Sequence, residues 1–296
     1  MRAIQWMKQR SVSLLAIVMM GVLMILPTGY EDALIYQGTE RVRAEVVKTD
    51  ESNIYNNGLI QSGEQDCEIK VLNGKFKGQT TNAVNMLSGS LESDKIFQKG
   101  DIANVVISHK DGKILSVTMS DHYRIDKEII LALIFVVLLI AFAGKNGLRA
   151  IYSFIITVLT IWKILVPAYL GGLNPLWVGI GITTFLTVVI IWLVYGFDKR
   201  TLAASGGSML GVLVTCVMGI VFTDQFRIHG TVMDYSETLL YAGFQNLNLT
   251  QIFMSSIFIG ASGAMMDLSV DITSAVHEVI QKKPEIGWKE AVGSGM

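Results

Sequence analysis

Two kinds of hydrophobic pattern divide the chain. Long unbroken apolar runs occupy the N-terminus and the C-terminal half, whereas residues 31–125 alternate apolar and polar positions. A run of about 20 apolar residues is the length that a helix needs to cross a bilayer, and alternation is the period of a half-buried β-strand. The pattern therefore predicts a polytopic α-helical membrane protein with a small all-β domain between its first and second helices.

About six transmembrane helices are expected, separated by short polar or glycine-rich segments. The predicted spans are residues 11–30, 129–144, 151–170, 176–195, 201–222 and 252–270. The first span follows a basic leader, so a cleaved signal peptide and an uncleaved anchor are both open. We favour the anchor, because the sequence after the apolar run lacks a small-x-small cleavage step and Pro27 interrupts it.

The alternating pattern in residues 31–125 predicts a domain of four or five short strands. Alternation is clearest in residues 41–50, 67–71, 102–108 and 114–119. Asp111 and Gly112 separate the last two segments and predict a two-residue hairpin turn. These features are typical of a small β-barrel or sandwich, with an OB-like barrel as one form. The domain has few aromatic residues and no basic stripe, so we expect a structural or partner-docking role rather than ligand binding.

The distribution of Lys and Arg predicts the orientation. If the N-terminus is cytoplasmic, the short outer loops carry only Arg227, and long translocated domains are exempt from the rule. The inner segments carry Arg2, Lys8, Arg10, Lys145, Arg149, Lys199, Arg200, Lys282, Lys283 and Lys289. We therefore expect cytoplasmic residues 1–10 and 281–296 and an extracytoplasmic domain at residues 31–125.

Composition limits the partners and the chemistry. The net charge is −1 and 17% of residues are charged, against about 25% in soluble proteins. This balance argues against nucleic acid, which requires a basic surface, and leaves the lipid bilayer and a membrane or envelope protein as expected partners. His277 and Glu278 suggest half of a metal motif, but Gln281 stands where the second histidine would be. We expect no metal, no cofactor and no enzymatic activity.

Asp267 and Asp271 are the sharpest candidates for function. They lie four residues apart in the last apolar run of the helical domain (residues 129–280), so their carboxylates share one helix face, which Glu278 extends. One alternative is that they lie inside the bilayer and bind a cation or relay protons. The other is that the membrane ends near Met266 and the following residues form an interfacial amphipathic helix. Both alternatives stay open at this point.

Lys163 is the most deeply placed charge of the predicted spans. It is expected either to pair with an acidic residue of another helix or to extend toward the outer headgroups. Two sets of small residues at four-residue spacing predict close helix packing. They are Gly207, Gly211, Thr215 and Gly219 in one run, and Ser256, Gly260 and Ala264 in another. We expect the two sets to face each other.

Three segments give the chain a family resemblance: GKNGLRAIYSFIITVLTIWKILVP, GFDKRTLAASGGSMLGVLV and GASGAMMDLSVDITSAVHEV. Together with the N-terminal anchor and the β domain, they resemble the YibE/F-like family of bacterial multi-pass membrane proteins. The resemblance implies a location in the bacterial plasma membrane. Members of that family usually continue with further spans, so it also implies that this chain is a fragment or a truncated form. It supplies no function, which leaves a permease-like transport component and a non-transporting scaffold as alternatives.

Overall fold

The computed structural model describes residues 2–28, 38–91, 93–236, 239 and 243–295, with the backbone alone for residues 2–11. The chain divides into two compact units. One is Glu31–Phe135, and the other combines Met1–Tyr30 with Val136–Met296. Each unit is described by itself below.

The described part of the first unit has six strands, five of which form a β-barrel. The strands are β1 Thr39–Asp50, β2 Ile54–Asn57, β3 Ile60–Val71, β4 Thr80–Ser88, β5 Ile102–Lys110 and β6 Lys113–His122. The sheet runs β1-β5-β6-β4-β3 and closes through the antiparallel pairing of β1 with β3, while β2 pairs only with β3. One pairing, β4 with β6, is parallel. The expected all-β domain is thus a barrel, not a sandwich.

Alternation along the strands builds the barrel interior. On β1, Val42, Ala44 and Val46 are buried and point inward, while the residues between them face outward. The same period places inward residues on the other strands, and Phe76 and Phe97 join the core from the loops. Because the period is two, a slip of one residue would move the entire apolar set to the surface, so burial fixes the register.

The turn between β5 and β6 agrees with the hairpin predicted from the sequence. Asp111 and Gly112 have φ values of 52° and 75°, and Lys110 pairs with Lys113 across them. Positive φ at both central residues is the conformation of a type I′ turn, whose twist matches that of the strands.

The second unit is helical. Counting the helix that leaves the barrel, its elements are α1 Arg2–Ile25, α2 Ile125–Thr160, a π-helical turn Ile161–Leu165, α3 Val166–Leu170, α4 Pro175–Tyr195, α5 Lys199–Gln225, a 3-10 turn Gly230–Val232, α6 Leu249–Lys282 and α7 Trp288–Gly295. Among the residues that the structure describes, four stretches are long and apolar enough to cross a membrane: Ile125–Leu170, Pro175–Tyr195, Lys199–Gln225 and Leu249–Lys282. The protein is therefore an α-helical membrane protein with a β-barrel near its N-terminus.

Two of the predicted spans, residues 129–144 and 151–170, share one helical stretch of 46 residues. At 1.5 Å per residue this stretch is about 69 Å long, more than twice the ~30 Å hydrocarbon core. Gly144 interrupts it with φ 53° and ψ −122°, a conformation outside the helical region. A Cβ at Gly147 would collide with the carbonyl of Leu139, which lies on the other side of Gly144 in the chain. The two helical segments therefore fold sharply at Gly144.

The structure describes part of the segment that the sequence predicts to be an N-terminal anchor. The shorter apolar helix Val12–Ile25 lies within α1, and Val12, Ala16 and Leu23 are buried against residues of α2 and α4 such as Ile156. The end of the predicted span, residues 29–30, lies outside the described residues. After α6, the predicted tail forms α7, in which Glu290 accepts a 3.0 Å bond from Lys283.

Candidate functional site

One face of α6 forms the centre of the helical unit. Ser255, Phe258 and Ser262 are buried at spacings of three and four residues, which is one face of a helix. Phe258 and Ser255 approach Gly179 of α4, where a Cβ would lie 3.0 Å from each side chain. The hydroxyls of Ser255 and Tyr169 are 2.6 Å apart. This face of α6 therefore packs against α3 and α4.

The glycine-rich side of α5 lies against the same helix. A Cβ at Gly211 would lie 2.6 Å from Met265 Sδ, and one at Gly207 would lie 3.2 Å from Ser269 Oγ. Toward the other end, Gly219 is near Ile257. Ser208 adds a 3.2 Å bond from its hydroxyl to the Met265 carbonyl. Because these glycines have no side chains, the backbones of α5 and α6 can approach closely enough for these contacts.

The prediction that the small residues of α5 face the second set of small residues, on α6, was wrong. Ser256, Gly260 and Ala264 are exposed on another face of α6, and a Cβ at Gly260 would have no atom within 4 Å in the described structure. Serine occurs on both faces of α6, so small size alone did not identify the packed one. The residues that meet α5 include the larger Met265 and Ile257.

The exposed small residues continue into the acidic ones. Advancing along α6 by three or four residues gives a single stripe: Ser256, Gly260, Ala264, Asp267, Asp271, Ser274 and Glu278, all exposed. We call these seven residues the α6 stripe. Its N-terminal half is small and uncharged, and its C-terminal half carries three carboxylates. The small residues of the α6 stripe allow another molecule or helix to approach α6 closely, and the carboxylates make the surface polar.

Tyr195 relates the stripe to the end of the neighbouring span. Its hydroxyl donates to the Val270 carbonyl at 2.6 Å and lies 2.7 Å from Ser274 Oγ. Tyr195 is the last residue of α4, whose 21 residues extend about 31 Å, close to the ~30 Å hydrocarbon core. Asp271 is therefore level with the end of that span, and Asp267 lies one helical turn inside it.

The two aspartates differ from Glu278 in their partners. Glu278 accepts a 2.6 Å bond from Lys282. Among the described residues, no hydrogen-bond or ion-pair partner reaches Asp267 or Asp271. An exposed carboxylate without a partner among the described residues is available to a cation, a proton or water.

The start of α5 lies beside the end of α4. Asp198 caps α5 by accepting from the Arg200 N–H, and the Arg200 guanidinium donates to Asp198 Oδ2 through two nitrogens at 2.9 and 2.7 Å. This guanidinium also lies 4.9 Å from the Tyr195 ring centroid. Hydrogen bonding from Arg200 holds the pKa of Asp198 below its usual value of 3.8.

Comparison with known families covers both units. Residues 131–296 match the model of the YibE/F-like protein, and residues 36–122 match the YibE/F family N-terminal domain. The chain belongs to the YibE/F-like family. No curated protein and no solved structure matches it. The family resemblance carried by the sequence segments is thus confirmed, and the α6 stripe lies in the matched C-terminal region.

In this YibE/F-like protein, Lys163 lies within the π-helical turn Ile161–Leu165. Its ammonium is 4.8 Å from the Trp162 ring centroid. Among the described residues no carboxylate lies within ion-pair distance of it, so the expected acidic partner on another helix is not found. A π-helical turn inserts one residue into a helix and is frequent at functional sites.

Sequence reasoning missed Tyr195, Tyr169 and Ser255, the residues that place the site. Tyrosines at the ends of apolar runs were a usable signal, because Tyr and Trp concentrate at membrane–water interfaces. Their partners on α6 could not be read from spacing, since each bond joins residues at least 75 positions apart.

Proposed function

We propose that this YibE/F-like protein is a permease-like component of the bacterial plasma membrane, in which Asp267 and Asp271 couple the movement of a cation or proton to that of a solute. The observation that carries the proposal is the position of Asp267. It lies one turn inside the end of α4, outside the packed face of α6, and without a partner among the described residues.

The free-energy cost of placing an ionised carboxylate in lipid favours a polar path beside Asp267. An ionised carboxylate at the centre of a bilayer costs about 2.5–3.5 kcal/mol on insertion scales. Asp267 avoids part of this cost near the boundary, and a proton, a cation or water beside the stripe removes the rest. Asp271 then serves as the next site toward the cytoplasm, where Glu278 with Lys282 ends the stripe.

The remaining elements have supporting roles in this proposal. The contacts of Gly207 and Gly211 hold α5 against α6, so the stripe is presented by a pair of helices rather than by one. We further propose six crossings, a cytoplasmic N-terminus and an extracytoplasmic barrel, which place Glu278 on the cytoplasmic side. The proposed activity is not enzymatic.

Proteoliposomes provide the test. The full chain is reconstituted with an internal pH dye, a proton gradient is imposed, and its decay is followed with and without a membrane potential. We expect the Asp267→Asn/Asp271→Asn double variant to slow the decay to the rate of empty vesicles. Asp224→Asn is the matched control, because Asp224 is an exposed carboxylate near the opposite end of α5. Equal rates for wild type and double variant would overturn the coupling role.

A scaffold function is the second candidate, and exposed apolar residues on the barrel favour it. At the β2–β3 hairpin, Tyr55 is 73% exposed and Leu59 is 84% exposed, with Ile60 beside them. Contiguous exposed apolar residues mark protein interaction sites. A scaffold would lose a co-purifying envelope partner on deletion of residues 40–122, and also in the milder Tyr55→Ser/Leu59→Ser variant. Retention of every co-purifying protein in both variants would contradict this candidate.

A further inference from the structure

The outer face of β1, β5 and β6 contains a concavity in the barrel unit. Val42 and Val105 point into the core, so the residues beside them in each strand point outward. The concavity has a volume of about 530 Å³ and includes Arg41, Arg43, Asn73, Asn104, Ser120 and Tyr123 in its lining. This volume lies in the range of small-molecule sites, about 300–1,000 Å³.

Arg43 is held in a defined position within the concavity. Its guanidinium lies 4.9 Å from the Tyr123 ring centroid, over the face of the ring. Tyr123 is itself fixed, since its N–H donates to the Ile102 carbonyl at 2.8 Å and its hydroxyl donates to Asp126 at 3.1 Å. The backbone N–H of Arg43 donates to Asn73 Oδ1 at 2.6 Å, which leaves the Asn73 amide nitrogen as a donor.

The guanidinium of Arg43 has no acidic partner among the described residues. No carboxylate is among the described residues that line the concavity. The nearby acids have other partners: Asp121 pairs with Lys95 at 2.9 Å and with Arg124 at 3.2 Å, and Asp126 accepts from Tyr123. Within the part of the chain that the structure describes, no carboxylate lies within 4.0 Å of the Arg43 guanidinium. A half-buried cation that lacks such a partner is stabilised when an anion binds beside it.

We propose that this concavity binds a phosphate-bearing anion. Arg43 would supply the charge, and Asn73, Asn104 and Ser120 the neutral donors. Guanidinium groups match the oxygens of phosphate in a two-bond geometry. The donors outnumber what the two oxygens of a carboxylate require, which favours phosphate over carboxylate.

The phosphate has two sources that share this chemistry. Ile125, which also lines the concavity, is the first residue of α2, and the apolar run of α2 begins four residues later at Ile129. A lipid headgroup is therefore within reach along the chain. A soluble phosphate ester from the aqueous phase is the other source.

The full chain in nanodiscs tests the proposal. Inorganic phosphate and glycerol phosphate are titrated calorimetrically against nanodiscs of pure phosphatidylcholine. Retention of phosphatidylglycerol over phosphatidylcholine is measured in parallel by native mass spectrometry. The variants are Arg43→Gln, Arg43→Lys and the matched control Lys110→Gln. Lys110 is exposed at the far end of β5 and is not part of the concavity.

We expect Arg43→Gln to weaken binding at least about ten-fold, which corresponds to ~1.4 kcal/mol. Arg43→Lys should retain part of the affinity because it keeps the charge without the fork, and Lys110→Gln should be unchanged. An effect in the soluble titration assigns the soluble source, and one confined to phosphatidylglycerol assigns the lipid source. Binding of neither probe, or equal losses for Arg43→Gln and Lys110→Gln, would overturn the proposal. Arg43→Lys keeps the test valid if Arg43→Gln fails to fold.

Discussion

Gln65 and Phe97 exchange two hydrogen bonds across the interior of the barrel. Gln65 Nε2 donates to the Phe97 carbonyl at 2.8 Å, and the Phe97 N–H donates to Gln65 Oε1 at 3.0 Å. The side-chain amide thus replaces a strand as the partner of the loop backbone. Asn85 extends the network by donating to Gln65 Oε1 and to the Lys95 carbonyl. The loop before β5 is held on the barrel by these fully buried groups.

Replacing Gln65 with Leu should therefore destabilise the barrel strongly. The Phe97 N–H and carbonyl would both lose their buried partner, at about 1–3 kcal/mol each. Gln61→Leu is the matched control, because Gln61 lies on the same strand and makes only an exposed bond to Asn56. Hydrogen exchange of the full chain in detergent measures the difference. Faster exchange at residues 93–99 in Gln65→Leu alone is expected, and equal protection in both variants would contradict the role assigned to the network.

The same network explains what sequence reasoning found in the barrel and what it overlooked. Strands with apolar inward residues, such as β1 and β5, were recognised from their alternation. β4 was not, because Asn85 occupies an inward position between Ala83 and Leu87 and breaks the apolar period. The concavity beside Arg43 was missed for a related reason. Its cations come from β1, while Asn73 comes from a turn, and only the closed barrel brings them together.

For the helical unit, length and apolarity predicted the helices but not their faces. In a soluble protein, polarity marks the outer face of a helix, whereas lipid is as apolar as the protein interior. On α6 the packed face includes Ser255 and Ser262, and the exposed face includes Gly260 and Ala264. Composition cannot separate these faces, so the partner of the α5 glycines had to come from the structure.

A pair of glycine variants tests that assignment. Gly211→Leu should lower the stability of the helical unit by about 1–3 kcal/mol, because the side chain would displace Met265. Gly260→Leu should change it little, since a Cβ at that position has no described atom within 4 Å. Unfolding in mixed micelles, followed by tryptophan fluorescence, gives both values. A larger loss for Gly260→Leu would show that the α6 stripe is the packed face.

Asp198 makes the junction of α4 and α5 sensitive to acid. Its pKa is lowered in the folded protein by the hydrogen bond from Arg200, so its contribution to stability is complete above the unfolded value of 3.8 and is lost as the pH falls through the folded value. We expect Asp198→Asn, which keeps a capping oxygen, to be less stable than wild type at pH 7 by about 0.2–1 kcal/mol. The difference should shrink below pH 3.8. Unfolding measured at pH 7, 5 and 3 checks this, and a difference that persists unchanged at pH 3 would contradict it.

Asp267 and Leu268 lie side by side at one depth of α6, and both are exposed from the helical unit. This pair separates the two alternatives for the acidic end of the α6 stripe. Single cysteines at the two positions, in a Cys67→Ser/Cys216→Ser background, are reacted in membrane vesicles with a membrane-impermeant maleimide. Thiols react as thiolates, which form in water and not in hydrocarbon.

A polar path beside the α6 stripe predicts that the cysteine at position 267 reacts at least about ten-fold faster than the one at 268, because only one of two adjacent side chains meets water. Equal, fast reaction at both positions would mean that the membrane ends before this turn and that α6 continues as an interfacial helix. Equal, negligible reaction would mean that the stripe faces lipid or a packed helix. Position 278, in the last turn but one of α6, should react in every case and verifies access of the reagent.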